Sequence, residues 1–183
     1  VAWEKLKAQL LYSQIDPNST PQTASQRVTF RHLAMLAQIR KEDANVWASL
    51  QRSGHIEDEP TDDLPQRLSL MRAWIASPHF PEAFRLEIQT GIGDEAKANI
   101  DNRDVDYLVS LWECLAECDW TGQEINSIIC DEAKQRDIPL RDAFQTLYWI
   151  VLNQDFGPKL ANILEEMDRE AVVDLLQLSI NVA

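Results

Sequence analysis

Apolar residues recur along this chain at three- and four-residue intervals almost throughout, the period of helices buried on one face. A first helix is predicted from about Trp3 to Tyr12, stopped by the polar, proline-containing stretch Asp16 to Ser25, which reads as an exposed loop. A second, about Thr29 to Arg40, places Phe30, Leu33, Leu36 and Ala37 on one face. Asp43 lies near the start of a third, whose stripe Val46, Trp47 and Leu50 ends at Gly54. The acidic segment Glu57 to Asp63 then leads to a helix carrying Leu64, Leu68, Met71, Trp74 and Ile75, which stops before Ser77-Pro78. Residues Pro81 to Gln89 add a turn or two. The one strand-like triplet, Val28-Thr29-Phe30, is too short to build a sheet.

Gly91 to Asn102, with two glycines and mixed charge, is the predicted boundary between an N-terminal helical subdomain (1–98) and a C-terminal one (103–183). Beyond it, Val105, Leu108, Val109, Trp112, Leu115 and Ala116 form a stripe. Thr121-Gly-Gln-Glu124 is a capping box, which predicts a helix from about Gly122 to Gln135. Pro139 suits the first turn of the next helix, which runs to about Asn153 before Gly157-Pro158 breaks the pattern. A short helix follows from about Lys159 to Glu166, and Asp168 is placed to cap a last one rich in Val172, Val173, Leu175 and Leu176. The predicted fold is all-α: a helical bundle of two packed subdomains.

Composition changes this picture in three ways. With 183 residues, 45% of them hydrophobic, the chain can bury one sizeable core or two small ones. Its longest apolar runs, such as Leu147 to Leu152, fall far short of the roughly 20 residues that span a bilayer, so no membrane partner is expected and the chain reads as cytoplasmic. The net charge of −13 counts against broad nucleic-acid binding, and from Thr121 onward 5 Lys and Arg face 11 Asp and Glu. Any RNA contact must therefore rest on a few residues and on stacking against splayed bases. Because residue 1 is Val and Trp3 already reads as helical, the chain is expected to begin inside a longer protein.

Reactive chemistry is sparse. Cys114 and Cys118 are four apart on one helix and could both face a metal, yet no CxxC pair and no fourth ligand at finger spacing accompanies them, so with Cys130 they read as packed free thiols and no metal site is assigned. His32, His55 and His79 are scattered among helix and loops and read as surface or capping residues. Acidic pairs such as Asp62-Asp63 and Glu165-Glu166 read mostly as solvated faces. Gly91-Ile92-Gly93 lacks the preceding strand and third glycine of a nucleotide-binding loop. No catalytic residue and no cofactor is assigned. The six tryptophans read as core, with Trp149 kept open as a base-stacking residue.

The segment from Leu140 to Leu160, Leu-Arg-Asp-Ala-Phe-Gln-Thr-Leu-Tyr-Trp-Ile-Val-Leu-Asn-Gln-Asp-Phe-Gly-Pro-Lys-Leu, is more specific. It resembles the last anticodon-binding segment of class I lysyl-tRNA synthetases and bacterial glutamyl-tRNA synthetases: a helix with a Phe-x-x-Leu-Tyr/Arg core, a short turn, then Gly-Pro-x-Leu opening another helix. Asp168-Arg-Glu-Ala-Val-Val-Asp-Leu-Leu resembles the closing helix of that family, and Val28-Thr-Phe-Arg-His-Leu-Ala-Met-Leu-Ala is similar to a helix of the lysyl enzyme that begins Val-Ser-Phe. The second match favours the lysyl branch.

The resemblance implies a cage of helices that holds a tRNA anticodon loop, with bases contacted at this turn. It assigns RNA binding to Gln145 and Tyr148 on the helix, Gly157 and Pro158 in the turn, Lys159 as a nearby cation, and Leu160 at the start of the next helix, with Arg31 and His32 as further polar candidates. The glutamyl branch commonly carries Arg where Tyr148 stands. The His-x-Gly-His and Lys-Met-Ser-Lys-Ser signatures of catalysis are absent, so the resemblance implies a recognition piece, inactive alone, working beside an absent catalytic domain of the same chain that uses ATP to attach lysine to its tRNA. An anticodon-binding piece of a glutamyl enzyme and a helical protein–protein interaction domain are the alternatives.

Overall fold

The computed structural model describes residues 28–60, 63–101 and 104–182; the helix and loop expected before residue 26 lie outside the described residues. Nine α-helices follow one another there: α1 (Phe30–Ile39), α2 (Asp43–Arg52), α3 (Asp63–Ile75), α4 (Asp94–Asn99), α5 (Val105–Glu117), α6 (Gly122–Gln135), α7 (Leu140–Leu152), α8 (Leu160–Glu165) and α9 (Arg169–Ile180). Between α3 and α4 a single 3-10 turn, Glu82–Phe84, interrupts an irregular segment. No strand occurs among the described residues, and none of these helices is long and apolar enough to cross a membrane. The all-α expectation holds.

Helix ends follow local chemistry, with two departures from expectation. Thr29 caps α1, its Oγ1 accepting from the His32 N–H at 3.3 Å, so Val28-Thr29-Phe30 is a helix entry. Thr121 caps α6 through the Glu124 N–H at 3.3 Å, but the Thr121 N–H donates to the Asp119 carbonyl and the box closes on one side only. Asp168 stands at the start of α9 without a side-chain cap bond. Asn153 ends α7 in the left-handed conformation, φ 52°, and its Oδ1 then accepts from the Ala96 N–H at 3.1 Å, capping α4 from another element. A Cβ on Gly93 would stand 2.3 Å from that oxygen, which is why the residue before α4 has no side chain.

Helix α1 packs on α2 and α3; α5 packs on α6 and α9, α6 on α7 and α8, and α7 on α4 and α9. One continuous apolar cluster nevertheless runs from Val28 to Leu176. Leu36, Leu50, Leu64 and Leu68 from the first three helices and Leu108, Leu111, Ile125 and Ile129 from the later ones have no exposed surface, and burying a side chain of this size stabilises by about 2 kcal/mol. Leu36, Leu50, Leu64, Leu68 and Leu108 belong to the stripes read from periodicity, whereas α5 buries Tyr107 and Leu111 in place of Val109 and Trp112, which are half-buried.

A carboxylate joins the two groups of helices. Glu166, just past α8, is 4% exposed, contrary to the solvated face expected of Glu165-Glu166. Its Oε2 accepts from Ser49 Oγ at 2.5 Å and Arg40 Nε at 3.2 Å, and its Oε1 from Arg52 Nη2 at 2.8 Å. A buried charge is tolerable only when paired and hydrogen-bonded, and here all three donors come from α1's end and α2.

Beside this cluster the imidazoles of His32 and His55 stack with centroids 4.5 Å apart and planes 17° apart. These two are therefore brought together, half-buried, rather than scattered. His55 Nδ1 lies 2.7 Å from Ser53 Oγ, whereas His32 Nε2 is buried without a partner. Burial lowers the His32 pKa from 6.5, neighbouring His55 lowers it further, and Glu166 opposes both. Similar logic holds Glu132 in place on α6: Ser110 Oγ donates to it at 2.5 Å and Arg136 Nη1 at 2.7 Å, and the Ser110 bond leads the causes that lower its pKa.

Two outcomes follow for stability. Glu166→Ala leaves Arg40, Arg52 and Ser49 without their acceptor and should lower unfolding free energy by about 3 kcal/mol, the low end for breaking a buried pair because both arginines reach solvent; a urea midpoint measures it. Since folding depresses the His32 pKa, the unfolded chain binds the proton first, so this residue's contribution is whole above pH 6.5 and is lost as pH falls through the folded value. Urea titrations between about pH 7 and 5 should show a shallower loss of stability in His32→Gln than in the wild type.

Candidate functional site

The solvent side of α1, the end of α3, the segment after it and the turn between α7 and α8 enclose an open groove of about 370 Å³. Phe30 and Arg31 come from α1, Trp74 from α3, Phe80 and Phe84 from the irregular segment, and Phe156, Gly157 and Pro158 from the turn. Phe30, Phe84 and Phe156 are 59%, 64% and 51% exposed. Large apolar side chains gathered at one exposed place mark a binding surface more often than single exposed ones do. Phe30 was expected on the buried face of its helix; as the first helical residue it turns out to the groove instead.

The groove has a built aromatic wall. The Phe30 ring lies 5.5 Å from Trp74, tilted by 50°, and Trp74 meets Phe80 edge-on at 4.7 Å and 78°. The Arg85 guanidinium sits over Phe80 at 5.3 Å, a cation–π contact that fixes the outer end of the row. Aromatic faces in this arrangement can stack on an unstacked base regardless of its identity.

The turn that completes the groove is set by Tyr148. Its hydroxyl donates to the Pro158 carbonyl at 2.6 Å and lies 3.4 Å from that of Gly157, and burial raises its pKa, so it stays a donor. A Cβ on Gly157 would come within 2.9 Å of Leu152 Cδ1 and 3.1 Å of Tyr148 Cε1. The glycine thus lets the chain lie against its own helix. Tyr148, assigned to base contact, spends its polar end on the turn. Leu160, also assigned to a base, is 1% exposed within the core and its side chain is out of reach. Pro158 and Lys159 are exposed at the turn.

Gln145 lines a different groove, of about 740 Å³, together with Trp149 and five aspartates, Asp101, Asp104, Asp106, Asp137 and Asp142, against a single Arg136. A phosphate backbone would meet like charge there. The predicted residues therefore separate: Gly157, Pro158 and Arg31 converge on the aromatic groove with Tyr148 behind them, Gln145 and Trp149 face the acidic one, and His32 packs on His55. Charge separates the two as well. The aromatic groove counts Arg31 and no carboxylate among its lining residues, in a chain of net charge −13.

Sequence reasoning misses Phe80, Phe84 and Phe156 and assigns Trp74 to the core. A signal exists for two of them: Phe80 and Phe156 stand off any helical stripe, immediately before Pro81 and Gly157, whereas Phe84 falls within the turn expected over Pro81 to Gln89.

No protein-family model matches the chain. Curated proteins do. It is 30% identical over 164 residues, 86% of its length, to the lysine–tRNA ligase of Pyrococcus furiosus, and 29% identical over the same share of its length to that of Thermococcus kodakarensis. To the lysine–tRNA ligase of Natronomonas pharaonis it is 27% identical over 95% of its length. The chain spans about 30% of the length of these relatives, the matches covering 31%, 30% and 31% of them. The resemblance to lysyl-tRNA synthetases seen in single segments thus extends over most of the chain.

The turn's construction predicts that Tyr148→Phe costs about 1 kcal/mol of unfolding free energy for the lost bond to Pro158. Gly157→Ala should cost about 1–3 kcal/mol, because Leu152 and the Tyr148 ring must both move. Thermal or urea unfolding of the two variants checks both, and the Gly157 variant should be the less stable.

Proposed function

We propose, taking kinship with lysine–tRNA ligases as the premise, that this chain is the tRNA-recognising helical region of such an enzyme and that it receives the anticodon loop at the aromatic groove. The observation that carries the reading is the groove itself: exposed phenylalanines and one arginine, free of carboxylates among the lining residues, on an otherwise acidic molecule. In a whole enzyme of this kind the ATP-dependent attachment of lysine would occur elsewhere in the chain, and these helices would supply recognition.

The physics suits a single-stranded loop better than a duplex. Stacking of a base on an aromatic side chain is worth about 1–3 kcal/mol and needs no net charge. Phe30, Phe84 and Phe156 supply the faces, the Gly157–Pro158 turn forms the wall opposite α1, and Arg31 with Lys159 offers cations for the adjoining phosphates. With only two such cations the salt dependence should be shallow, a slope near −1.4 in log affinity against log salt for single-stranded RNA, roughly 0.7 per phosphate neutralised. A duplex-binding surface would need many more.

Titration of the 183-residue chain with lysine, glutamate and unrelated anticodon stem-loops tests the reading. The lysine loop should bind most tightly, with that shallow slope, and Phe156→Ala should weaken it by about tenfold, one lost stacking contact. A folded chain that binds no loop, or one whose binding ignores Phe156→Ala, overturns it in favour of a protein–protein interaction surface.

A further inference from the structure

Phe84 is the most exposed of the groove's phenylalanines, at 64%, yet it sits on the segment with the least structure of its own. After the 3-10 turn Glu82–Phe84 no helix begins until Asp94. Two glutamine side chains hold this segment from opposite sides. From α1, Gln38 donates through Nε2 to the Phe84 carbonyl at 3.3 Å and accepts through Oε1 from the Leu86 N–H at 2.8 Å. The same Nε2 is anchored on its own helix by the Ala34 carbonyl at 3.1 Å. From beyond α7, Gln154 Nε2 donates to the Arg85 carbonyl at 3.1 Å, and the Gln89 N–H donates to the Val151 carbonyl at 2.9 Å. Phe84 and Leu86 thus bond toward α1, and the intervening Arg85 bonds toward the end of α7. The segment behaves as one extended strand paired with side-chain amides in place of neighbouring strands.

Resting on the reading of the groove as the RNA site, we propose that Gln38 is a positioning residue for loop binding: it fixes Phe84 as a rigid wall of the groove, with Gln154 bracing the same segment from behind. An exposed ring on a free loop loses conformational freedom when it stacks on a base, and that loss weakens binding; a ring already held in place avoids it. The residue type follows from the bonds. One side chain must donate to a carbonyl and accept from an N–H two residues on, and a carboxamide carries a separate donor and acceptor on one planar end. Glu would lack the donor, and Met would lack the donor and offer only a weak sulfur acceptor, at nearly the same length. Gln38 also lies two helical turns from Arg31 along the groove side of α1, so the same helix that presents the cation sets the distance to the ring.

The test uses the 183-residue chain with a lysine anticodon stem-loop as probe and compares wild type, Gln38→Met, Phe84→Ala and the double variant. Thermal unfolding and hydrogen exchange at the Leu86 amide are measured beside affinity. Gln38→Met is expected to weaken binding by about fivefold and to speed exchange at Leu86 by about tenfold as its acceptor is lost. In the Phe84→Ala background it should cost nothing further, because it acts through that ring. Additive losses, or unchanged affinity with Leu86 exposed to exchange, overturn the proposal while leaving the groove as the RNA site. Failure of the wild type to bind any loop removes the RNA reading and this inference together. Should Gln38→Met not fold, Gln154→Met applies the same three readouts from the other side of the segment.

Discussion

The buried Glu166 carboxylate is the constraint on which the arrangement of helices rests. Apolar packing brings α1, α2 and α3 together and α5 to α9 together, with one cluster continuous between them, but such contacts are not directional. Arg40, Ser49 and Arg52 converge on one carboxylate from two helices and permit a single relative placement, since any other leaves a charge buried without a partner. That placement brings the solvent side of α1 opposite the turn after α7. The groove exists because these two surfaces face each other.

Within that frame each wall of the groove is stiffened by a different device. Tyr148 pins the turn through its hydroxyl, and Gly157 lets the turn lie close to the ring. Phe30 leans tilted on Trp74, which meets Phe80 edge to face, with Arg85 over the end. The segment carrying Phe84 is strung between Gln38 and Gln154. Among these devices only Arg85 is charged, and it is paired with Glu82 at 3.3 Å, which fits a molecule of net charge −13: the aromatic surfaces are held in place by packing and hydrogen bonds rather than by added charge. A phosphate backbone would meet five aspartates in the groove that holds Gln145 and Trp149.

The helices were legible from residue spacing because burial imposes a 3.6-residue period on any helix with one apolar side. The bounds of α6, Gly122–Gln135, agree with those read from the capping box and periodicity, and α3, α5 and α7 lie within a residue or two of expectation. The turn at Gly157–Pro158 was equally legible, since both residues break helices for local reasons. The candidate site was legible only in part. Glycine, proline and the tyrosine beside them pointed to the turn, but Leu160 belongs to the core and Tyr148 to the turn's own hydrogen bonds, because one residue's spacing along a helix does not say which neighbours fill the space beside it.

The sequence by itself determined an all-helical chain, the position of its breaks and its likeness to lysyl-tRNA synthetases, all of which depend on order along the chain. Only the tertiary structure decided that Glu166 is a buried anchor, that His32 meets His55, and that Phe30, Trp74, Phe84 and Phe156, separated by as many as 126 positions in the chain, share one groove. Exposure and charge pairing are properties of what comes to lie beside a residue in space. Those neighbours come from distant helices, whose placement depends on long-range packing that no local pattern encodes.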